Sequence, residues 1–181
     1  MDNIKILIDK EKLNDRVNIL SKQIENDYKD KDLHIICVLK GSVFFTMDLI
    51  RNINQNVRLD FVKIKSYNGT KSEEIHLDAN LISNIEDKDV LIIEDIIDSG
   101  KTMNYLTNYL RENYNPRSIK VCTLLDKKEK REITFNADYT GFVVEDKFVI
   151  GYGLDYDEDY RNLPYVGYLD NDDIKILKKD K

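Results

Sequence analysis

Two patterns of hydrophobic and polar positions recur along this chain, and they predict helices and strands. In residues 10–27 the apolar side chains recur at spacings of four, three and four, which is typical of one face of an amphipathic helix. These side chains are Leu13, Val17, Leu20 and Ile24. Residues 33–39, LHIICVL, form an apolar run of strand length that predicts a buried strand, and VLIIE, residues 90–94, predicts a second one.

The rest of the chain repeats these two patterns. Helical spacing of apolar residues recurs over two further ranges, 42–53 and 102–113. Strands are predicted over 59–67, 118–125, 139–145 and 147–153, and a polar exposed loop over 68–74. Buried strands that alternate with helices favour an α/β fold, in which helices cover both faces of a mainly parallel sheet.

Length and composition favour one domain spanning residues 1–181. No apolar run approaches the roughly 18 residues of a membrane span, and the N-terminal MDNIKILIDKEK lacks the basic start and apolar core of a signal peptide. Cys37 and Cys122 lie in apolar runs, so they are expected to be buried free thiols rather than a disulfide. These features predict a cytoplasmic protein with no membrane partner.

The net charge of −6 narrows the possible partners further. Broad binding to nucleic acid needs a cationic surface against the phosphates. A chain this acidic is therefore not expected to bind nucleic acid, although its charge is compatible with a local cationic pocket for a small anion.

The most informative stretch is VLIIEDIIDSGKT, residues 90–102, in which three acids follow a buried strand and precede a turn. Gly100, Lys101 and Thr102 match the end of a P-loop, but that motif requires a glycine where this chain has Asp95. Acids this close repel one another unless a bound cation or a polyhydroxyl ligand offsets their charge. The stretch therefore predicts a substrate with a phosphate and vicinal hydroxyls, such as ribose 5-phosphate with Mg²⁺, beyond the carboxyl end of a parallel strand.

This stretch resembles the phosphoribosyl-pyrophosphate motif of the type I phosphoribosyltransferases. Three further segments, VLKGSVFF, TLLDKK and EDKFVIGYGLDYDEDYRNLPYVG, are similar to segments of the hypoxanthine-guanine phosphoribosyltransferases, and the resemblance covers roughly residues 5–175. It implies a type I phosphoribosyltransferase fold with a small hood and a flexible loop. It also implies that phosphoribosyl pyrophosphate and hypoxanthine or guanine are converted to IMP or GMP, with Mg²⁺ as cofactor, by a homo-oligomer, either a dimer or a tetramer.

The resemblance assigns roles to the acids and to the turn that follows them. Glu94 and Asp95 face the ribose hydroxyls and the associated Mg²⁺. Asp98 is the general base that takes the proton of the purine ring nitrogen, and its alternative role is to cap the following loop. That loop holds the 5′-phosphate through backbone N–H groups and hydroxyls. Its residues are Ser99, Gly100, Lys101 and Thr102.

Other segments are assigned to pyrophosphate by the same resemblance. Lys40 and Gly41 match a pyrophosphate loop in which the peptide before Lys40 can adopt the cis form. Arg161 matches the arginine that clamps pyrophosphate, since a guanidinium suits that anion. Asp155 matches a carboxylate that meets a second Mg²⁺ near the purine. The neighbouring acids are expected to be solvated, and they are Asp157, Glu158 and Asp159.

The purine is assigned to the segments after two predicted strands. Lys127 is expected to donate to the exocyclic oxygen of a 6-oxopurine and thereby to disfavour adenine. Outside TLLDKK, the same lysine would be interpreted as a surface residue. Phe148 matches the aromatic residue that stacks on the base, Val149 supplies backbone groups to its edge, and Lys147 lies beside it. For Phe148 and Val149 the alternative is a core position in a strand.

Ser66 and Tyr67 match the flexible loop that closes over the site and excludes water. The segment that follows them is more acidic and poorer in glycine than is usual in the family, which affects the details of closure rather than the chemistry. His34 is interpreted as a strand-edge residue, and His76 as a solvent-facing one, so neither receives a role.

Two rival functions stay open. A transferase that prefers adenine or xanthine would have the same fold; Lys127 argues against adenine but not against xanthine. A regulatory, RNA-binding member of the superfamily would be expected to carry a basic face, which the net charge of −6 does not indicate.

Overall fold

The computed structural model describes residues 4–68, 73–78 and 83–170, with the side chains of 65–68 and 73–78 left out. The described helices are α1 (Lys10–Asp27), α2 (Val43–Arg51) and α3 (Lys101–Tyr114), with a short 3-10 turn over Lys128–Lys130. The described strands are β1 (Lys5–Ile8), β2 (Leu33–Leu39), β3 (Arg58–Asn68), β4 (Glu73–Asp78), β5 (Asp89–Ile97), β6 (Ser118–Asp126), β7 (Tyr139–Val143), β8 (Phe148–Ile150) and β9 (Val166–Leu169).

A six-stranded sheet with the order β4-β3-β2-β5-β6-β7 forms the centre of the molecule. Its strands from β3 to β7 in this order are parallel, and only β4 pairs antiparallel at the edge. A second, antiparallel sheet has the order β1-β9-β8. The predicted α/β class with a mainly parallel sheet is therefore confirmed, and the small sheet is the hood that the resemblance implied.

The central strands are buried on both faces, because alternate side chains enter two separate clusters. In β5, Leu91 and Ile93 belong to the cluster that contains the apolar side chains of α1 and α2. Val90 and Ile92 belong to the cluster that contains those of α3. The small sheet also packs on the first cluster, through Val149 among others. This arrangement explains why the sequence shows unbroken apolar runs at β2 and β5 rather than alternation.

Several boundaries differ from the predicted ones. β5 extends to Ile97 because it pairs with β6 that far, so the acids at its end lie within the strand. β8 ends at Ile150, since Gly151 and Gly153 follow with φ values of +91° and +104°. The predicted loop 68–74 is shortened, because strand pairing reaches Asn68 and resumes at its partner Glu73. Strands β1, β4 and β9 were not predicted at all, and the small antiparallel hood strands carry too few residues to show a period.

His34 contradicts the interpretation as a strand-edge residue. It lies in the central strand β2, is fully buried, and its Nε2 is 2.7 Å from Asp60 Oδ2 on the neighbouring strand. The same carboxylate oxygen accepts hydrogen bonds from the backbone N–H and the hydroxyl of Ser83, each at 2.7 Å. A single carboxylate thus joins β2, β3 and the segment before β5. The hydrogen bond at Nε2 helps to hold this buried histidine in place, while its Nδ1 is buried without a hydrogen-bond partner among the described residues.

Cys37 and Cys122 are both buried and unpaired, as predicted. None of the helices that the structure describes is long and apolar enough to cross a membrane.

Candidate active site

The loops that follow the parallel strands meet at one edge of the central sheet. Lys40 follows β2, Asp98 follows β5, Lys127 follows β6, and Glu145 lies shortly after the end of β7. Because the strands are parallel, their carboxyl ends share one edge, which is where ligands bind in open α/β sheets. Residues that are far apart in the sequence are therefore gathered in one region.

Gly41 joins three of these segments by close packing. A Cβ atom built on Gly41 would lie 1.5 Å from Asp95 Oδ2, and one on Gly153 would lie 2.0 Å from the carbonyl oxygen of Gly41. Neither position has room for a side chain, because the loop after β2, the acids of β5 and the segment after β8 are in direct contact. The peptide between Leu39 and Lys40 is cis.

Glu94 and Asp95 form a pair of acids at the end of β5. Burial raises the pKa of Glu94 well above its usual value, and the neighbouring charge of Asp95 raises it further. Burial also raises the pKa of Asp95, even though hydrogen bonds from Glu94 and from the backbone, and the positive charge of Arg161, act in the opposite direction. The backbone N–H of Ile96 donates to Asp95 Oδ1 at 2.7 Å. A nearby cation would remove the cost of burying two carboxylates together.

The residues present fit a magnesium ion. Carboxylate oxygens are ligands that Mg²⁺ prefers, and this ion is commonly held by one or two carboxylates together with substrate phosphates. Within the described part of the chain, no cluster of three or more His, Cys, Asp or Glu side chains is arranged to hold a metal. As two carboxylates, Glu94 and Asp95 fit an ion whose other ligands are substrate and water oxygens.

The turn between β5 and α3 presents backbone N–H groups at a helix start. Gly100 has a φ of +86° and α3 begins at Lys101, while the hydroxyl of Ser99 accepts a hydrogen bond from the N–H of Lys101 at 3.3 Å. Thr102 lies in the first turn of α3 and is half-buried. A helix N-terminus with a tight turn before it is a suitable anion site, as the sequence indicated.

Arg131 braces this turn, although nothing in the run KKEKRE distinguishes it from its charged neighbours. Its guanidinium donates to the carbonyl oxygens of Ile97, at 2.9 Å, and of Asp98, and to the nearly buried carboxylate of Asp126. Its Nε donates to the carbonyl oxygen of Phe135 at 3.0 Å. The turn is thereby tied to the end of β6.

Backbone hydrogen bonds reinforce this contact. The N–H groups of Glu132 and Ile133 both donate to the carbonyl oxygen of Ser99, at 3.1 and 3.4 Å. A Cβ atom on Gly100 would lie 3.0 Å from Phe135. We call residues 131–135 the strap, because they lie against the turn and hold its carbonyl groups away from the helix start.

Lys127 is nearly buried, with 7% of its surface exposed, which excludes the interpretation as a surface lysine. Its Nζ lies 3.5 Å from Asp98 Oδ1 and 3.7 Å from Asp146 Oδ1. Asp146 also pairs with Lys130 at 2.9 Å. The sequence did not indicate Asp146, because its two partners lie on another segment. The amino group of Lys127 is thus held between two carboxylates beside the phosphate turn.

Lys40 and Arg161 form a second cationic group. Lys40 Nζ lies 2.7 Å from Glu158 Oε2, and Arg161 Nη2 lies 3.3 Å from the same oxygen. Arg161 also pairs with Asp155 Oδ1 at 2.9 Å and donates to the carbonyl oxygen of Gly153 at 2.8 Å. Glu158 is exposed, as expected of a solvated acid, but its carboxylate also contacts both cations.

The segment around β8 is divided between the site and the core. Phe148 is 42% exposed, and its ring packs edge-on against Tyr156 with centroids 5.6 Å apart, which leaves a face for a planar ligand. Val149 is buried in the core cluster. Lys147 pairs with Glu145 at 3.2 Å and lies over the ring of Tyr168, so its charge is directed toward those two groups.

Ser66 and Tyr67 lie in β3, opposite Ile75 and Glu74 of β4. The backbone around them therefore forms strand pairs, in agreement with the strand predicted over 59–67. Their side chains, and the predicted loop residues 69–72, lie outside the described part of the structure.

Comparison with known proteins agrees with this geometry. The phosphoribosyl transferase domain pattern matches residues 4–157. Hypoxanthine-guanine phosphoribosyltransferase of Bacillus subtilis is 44% identical over 167 residues, which cover 91% of this chain and 92% of that protein. A crystal structure of hypoxanthine phosphoribosyltransferase from Staphylococcus aureus superposes with a TM-score of 0.89 at 40% identity, over 94% of each chain.

A longer relative is also similar. The bifunctional protein TilS/HprT of Listeria innocua is 43% identical over 91% of this chain, but the chain spans only 26% of that protein's length. Together with the match of the domain pattern, the full-length relatives define the family. The chain belongs to the phosphoribosyltransferases, and among them to the hypoxanthine-guanine phosphoribosyltransferase family.

Proposed function

We propose that this protein is a purine-salvage enzyme that transfers the 5-phosphoribosyl group of phosphoribosyl pyrophosphate to hypoxanthine or guanine, giving IMP or GMP and pyrophosphate. The observation that carries the proposal is the buried Lys127, held between Asp98 and Asp146 beside the phosphate turn. A cation there suits the exocyclic oxygen of a 6-oxopurine, whereas the amino group of adenine would face another donor. Such a mismatch costs about 1–3 kcal/mol.

The reaction forms a bond between the purine ring nitrogen and the anomeric carbon while the bond to pyrophosphate breaks. We assign the ring proton to Asp98, whose carboxylate is half-exposed and lies 3.5 Å from the ammonium of Lys127. Lys40 and Arg161 are assigned to the departing pyrophosphate, and Phe148 to stacking on the purine. The N–H groups at the start of α3 are assigned to the 5′-phosphate.

Glu94 and Asp95 would hold Mg²⁺ together with the ribose hydroxyls. When bound, this ion neutralises charge on the pyrophosphate and fixes the position of the substrate. Asp155 is the proposed ligand of a second ion, and its Oδ1 already accepts from Arg161. An ion at Asp155 would therefore compete with that guanidinium. In its absence, Arg161 and Asp155 keep each other in place.

The proposal is tested by an assay with Mg²⁺, phosphoribosyl pyrophosphate and each of hypoxanthine, guanine, xanthine and adenine. Turnover of hypoxanthine or guanine is expected, with little or none of adenine, and chelation of the metal should abolish it. Failure to convert either oxopurine would overturn the proposal. Turnover of xanthine above both would establish the xanthine-preferring rival. Retardation of RNA in a low-salt gel shift without turnover would favour the regulatory one.

Asp98→Asn tests the assignment of the base. An amide cannot accept the ring proton, so kcat should fall by about a hundredfold or more while the circular dichroism spectrum is unchanged. If Asp98 only orders the loop, KM for phosphoribosyl pyrophosphate should rise instead, with kcat retained. Wild-type rates in the variant would remove the assignment.

We further propose that the protein acts in the cytoplasm as a homo-oligomer. The two buried, unpaired cysteines support a reducing compartment. The oligomer, a dimer or a tetramer, rests on the family alone, and sedimentation velocity of the purified protein would test it. A monomer at micromolar concentration would contradict it.

A further inference from the structure

Glu158 is the one carboxylate that contacts both cations of the proposed pyrophosphate site, among the ion pairs of the described residues. Its Oε2 lies 2.7 Å from Lys40 Nζ and 3.3 Å from Arg161 Nη2. Lys40 is 118 positions away along the chain, so this contact links two segments that only the fold brings together. One oxygen shared by two cations occupies the position in which an oxygen of a bound phosphate would be expected.

The backbone holds Glu158 in this place. Its N–H donates to Asp155 Oδ2 at 2.9 Å, and it has a φ of +70°. The turn around it is closed by reciprocal backbone hydrogen bonds between Tyr156 and Asp159, at 3.1 and 3.2 Å. A left-handed backbone conformation costs free energy in a residue other than glycine, and it persists only where the surrounding structure holds it. The turn thus fixes the backbone of Glu158, and its exposed side chain is held by the two ion pairs.

The charges around Glu158 agree with this arrangement. The hydrogen bond from Lys40 lowers the pKa of Glu158, and Arg161 lowers it further, so the carboxylate is ionised at neutral pH. Arg161 keeps a second partner in Asp155, at 2.9 Å. If the Glu158 carboxylate moved away, Asp155 would therefore still hold the guanidinium in position. Both cations would then be free to bind an external anion.

We propose that Glu158 is an internal occupant of the pyrophosphate site, an anion that the pyrophosphate group must displace from Lys40 and Arg161 when substrate binds. Glu158 thereby sets the affinity for pyrophosphate-bearing ligands and favours release of the product. This inference rests on the proposed function, since it takes the Lys40 and Arg161 pair as the pyrophosphate site.

Glu158→Gln removes the competing charge and keeps the size of the side chain. The dissociation constant of inorganic pyrophosphate, measured by calorimetry with Mg²⁺ present, should fall by about twofold to fivefold, as expected for the loss of an exposed ion pair. KM for phosphoribosyl pyrophosphate should fall by a similar factor, while KM for hypoxanthine should not change. A purely structural role would not produce tighter binding of one ligand only.

Asp159→Asn is the matched control. It removes the same charge from the same turn, but Asp159 forms no ion pair with Lys40 or Arg161 within the described contacts. Pyrophosphate affinity in this variant should stay within experimental error of the wild type. An equal gain in both variants would indicate long-range charge and overturn the displacement proposal.

The two proposals fail in different ways. If the wild type converts hypoxanthine or guanine but Glu158→Gln binds pyrophosphate no more tightly, only the role of Glu158 is overturned. If the wild type converts no purine, the proposed function fails whatever the variant binds. A further variant, Glu158→Asp, keeps the charge on a shorter side chain. It should bind pyrophosphate with an affinity between those of the wild type and Glu158→Gln.

Discussion

Lys127 is a charged residue whose burial bears on its proposed role in selecting the purine. An ammonium has three donors, and the distances of 3.5 and 3.7 Å to its two carboxylates are longer than good hydrogen bonds. The amino group is therefore compensated electrostatically but retains donor capacity toward a ligand. The half-exposed Lys40 differs from it, because its partner Glu158 takes up its donor capacity at 2.7 Å.

Lys127→Ala should weaken the discrimination between oxopurines and adenine. Loss of the donor removes the mismatch against an amino group, so the ratio of kcat/KM for hypoxanthine to that for adenine should fall by about tenfold or more. The exposed neighbour Lys128 provides the control, since Lys128→Ala should leave the ratio unchanged. An unaltered ratio in Lys127→Ala would show that other groups select the base.

The strap is an element without regular secondary structure that nevertheless fixes a functional turn. Arg131 binds the carbonyl oxygens of Ile97 and Asp98 on one side and the carboxylate of Asp126 on the other. A fork of five N–H donors makes such simultaneous contacts, whereas a lysine provides a single point charge. The turn that is assigned to the 5′-phosphate therefore depends on a residue of a different loop.

Arg131→Lys should raise KM for phosphoribosyl pyrophosphate more than it lowers kcat, because it loosens the binding turn rather than the reacting groups. Arg131→Ala should also reduce the free energy of unfolding by about 3–5 kcal/mol, since it leaves the buried carboxylate of Asp126 without its partner. Urea denaturation and steady-state kinetics measure the two effects. Arg111→Lys, on the exposed side of α3, is the control. Equal effects of the two lysine substitutions would contradict the role of the strap.

Asp60 stabilises the central sheet. It lies toward the ends of β2 and β3 that are farther from the candidate active site. Burial alone would raise its pKa, but hydrogen bonds from Ser83 and from His34 outweigh burial and hold the pKa of Asp60 below its ordinary value of 3.8. A carboxylate with a lowered pKa in the folded state stabilises the protein fully above its unfolded pKa. That contribution is lost as the pH falls through the folded value.

Asp60→Asn should therefore be less stable than the wild type by about 1–3 kcal/mol at pH 7. The difference should persist at pH 5 and shrink below about pH 4, where the wild-type carboxylate becomes protonated. Urea unfolding of both proteins at these pH values provides the test. A difference that is constant down to pH 3 would show that geometry, rather than ionisation, accounts for the effect.

At the scale of the whole molecule, the two apolar clusters are joined through the central strands. Because Leu91 and Ile93 enter one cluster and Val90 and Ile92 the other, neither cluster keeps its wall if β5 detaches. The small sheet shares the first cluster with α1 and α2. The described elements therefore depend on one another.

A single cooperative unfolding transition is expected in urea. The chain has 11 Tyr and no Trp, so tyrosine fluorescence can be compared with far-ultraviolet circular dichroism. The two midpoints should coincide. Separate midpoints would show that the hood unfolds independently, and would contradict the prediction that residues 1–181 form one domain.

Most of the longer elements and the type of substrate could be predicted from the amino-acid sequence. Buried strands and amphipathic helices leave periodic patterns in consecutive residues, so α1, β2, β5 and α3 are recognisable without neighbours. The motif VLIIEDIIDSGKT is likewise local, because a strand end, an acid pair and a phosphate turn follow one another along the chain. Short strands such as β1, with four residues, escaped prediction because they are too short to establish a period.

The pairing of charged residues could not be predicted from the sequence and became apparent in the folded chain. Arg131, Asp146 and Glu158 lie in runs of charge that are indistinguishable from a solvated surface, and the partners that set them apart are distant in sequence or on another loop. Contacts of this kind leave no periodic signal, since they depend on where the sheet places the ends of its strands. The burial of Lys127 depends on the same placement of strand ends. So do the ion pairs of Glu158 with Lys40 and Arg161.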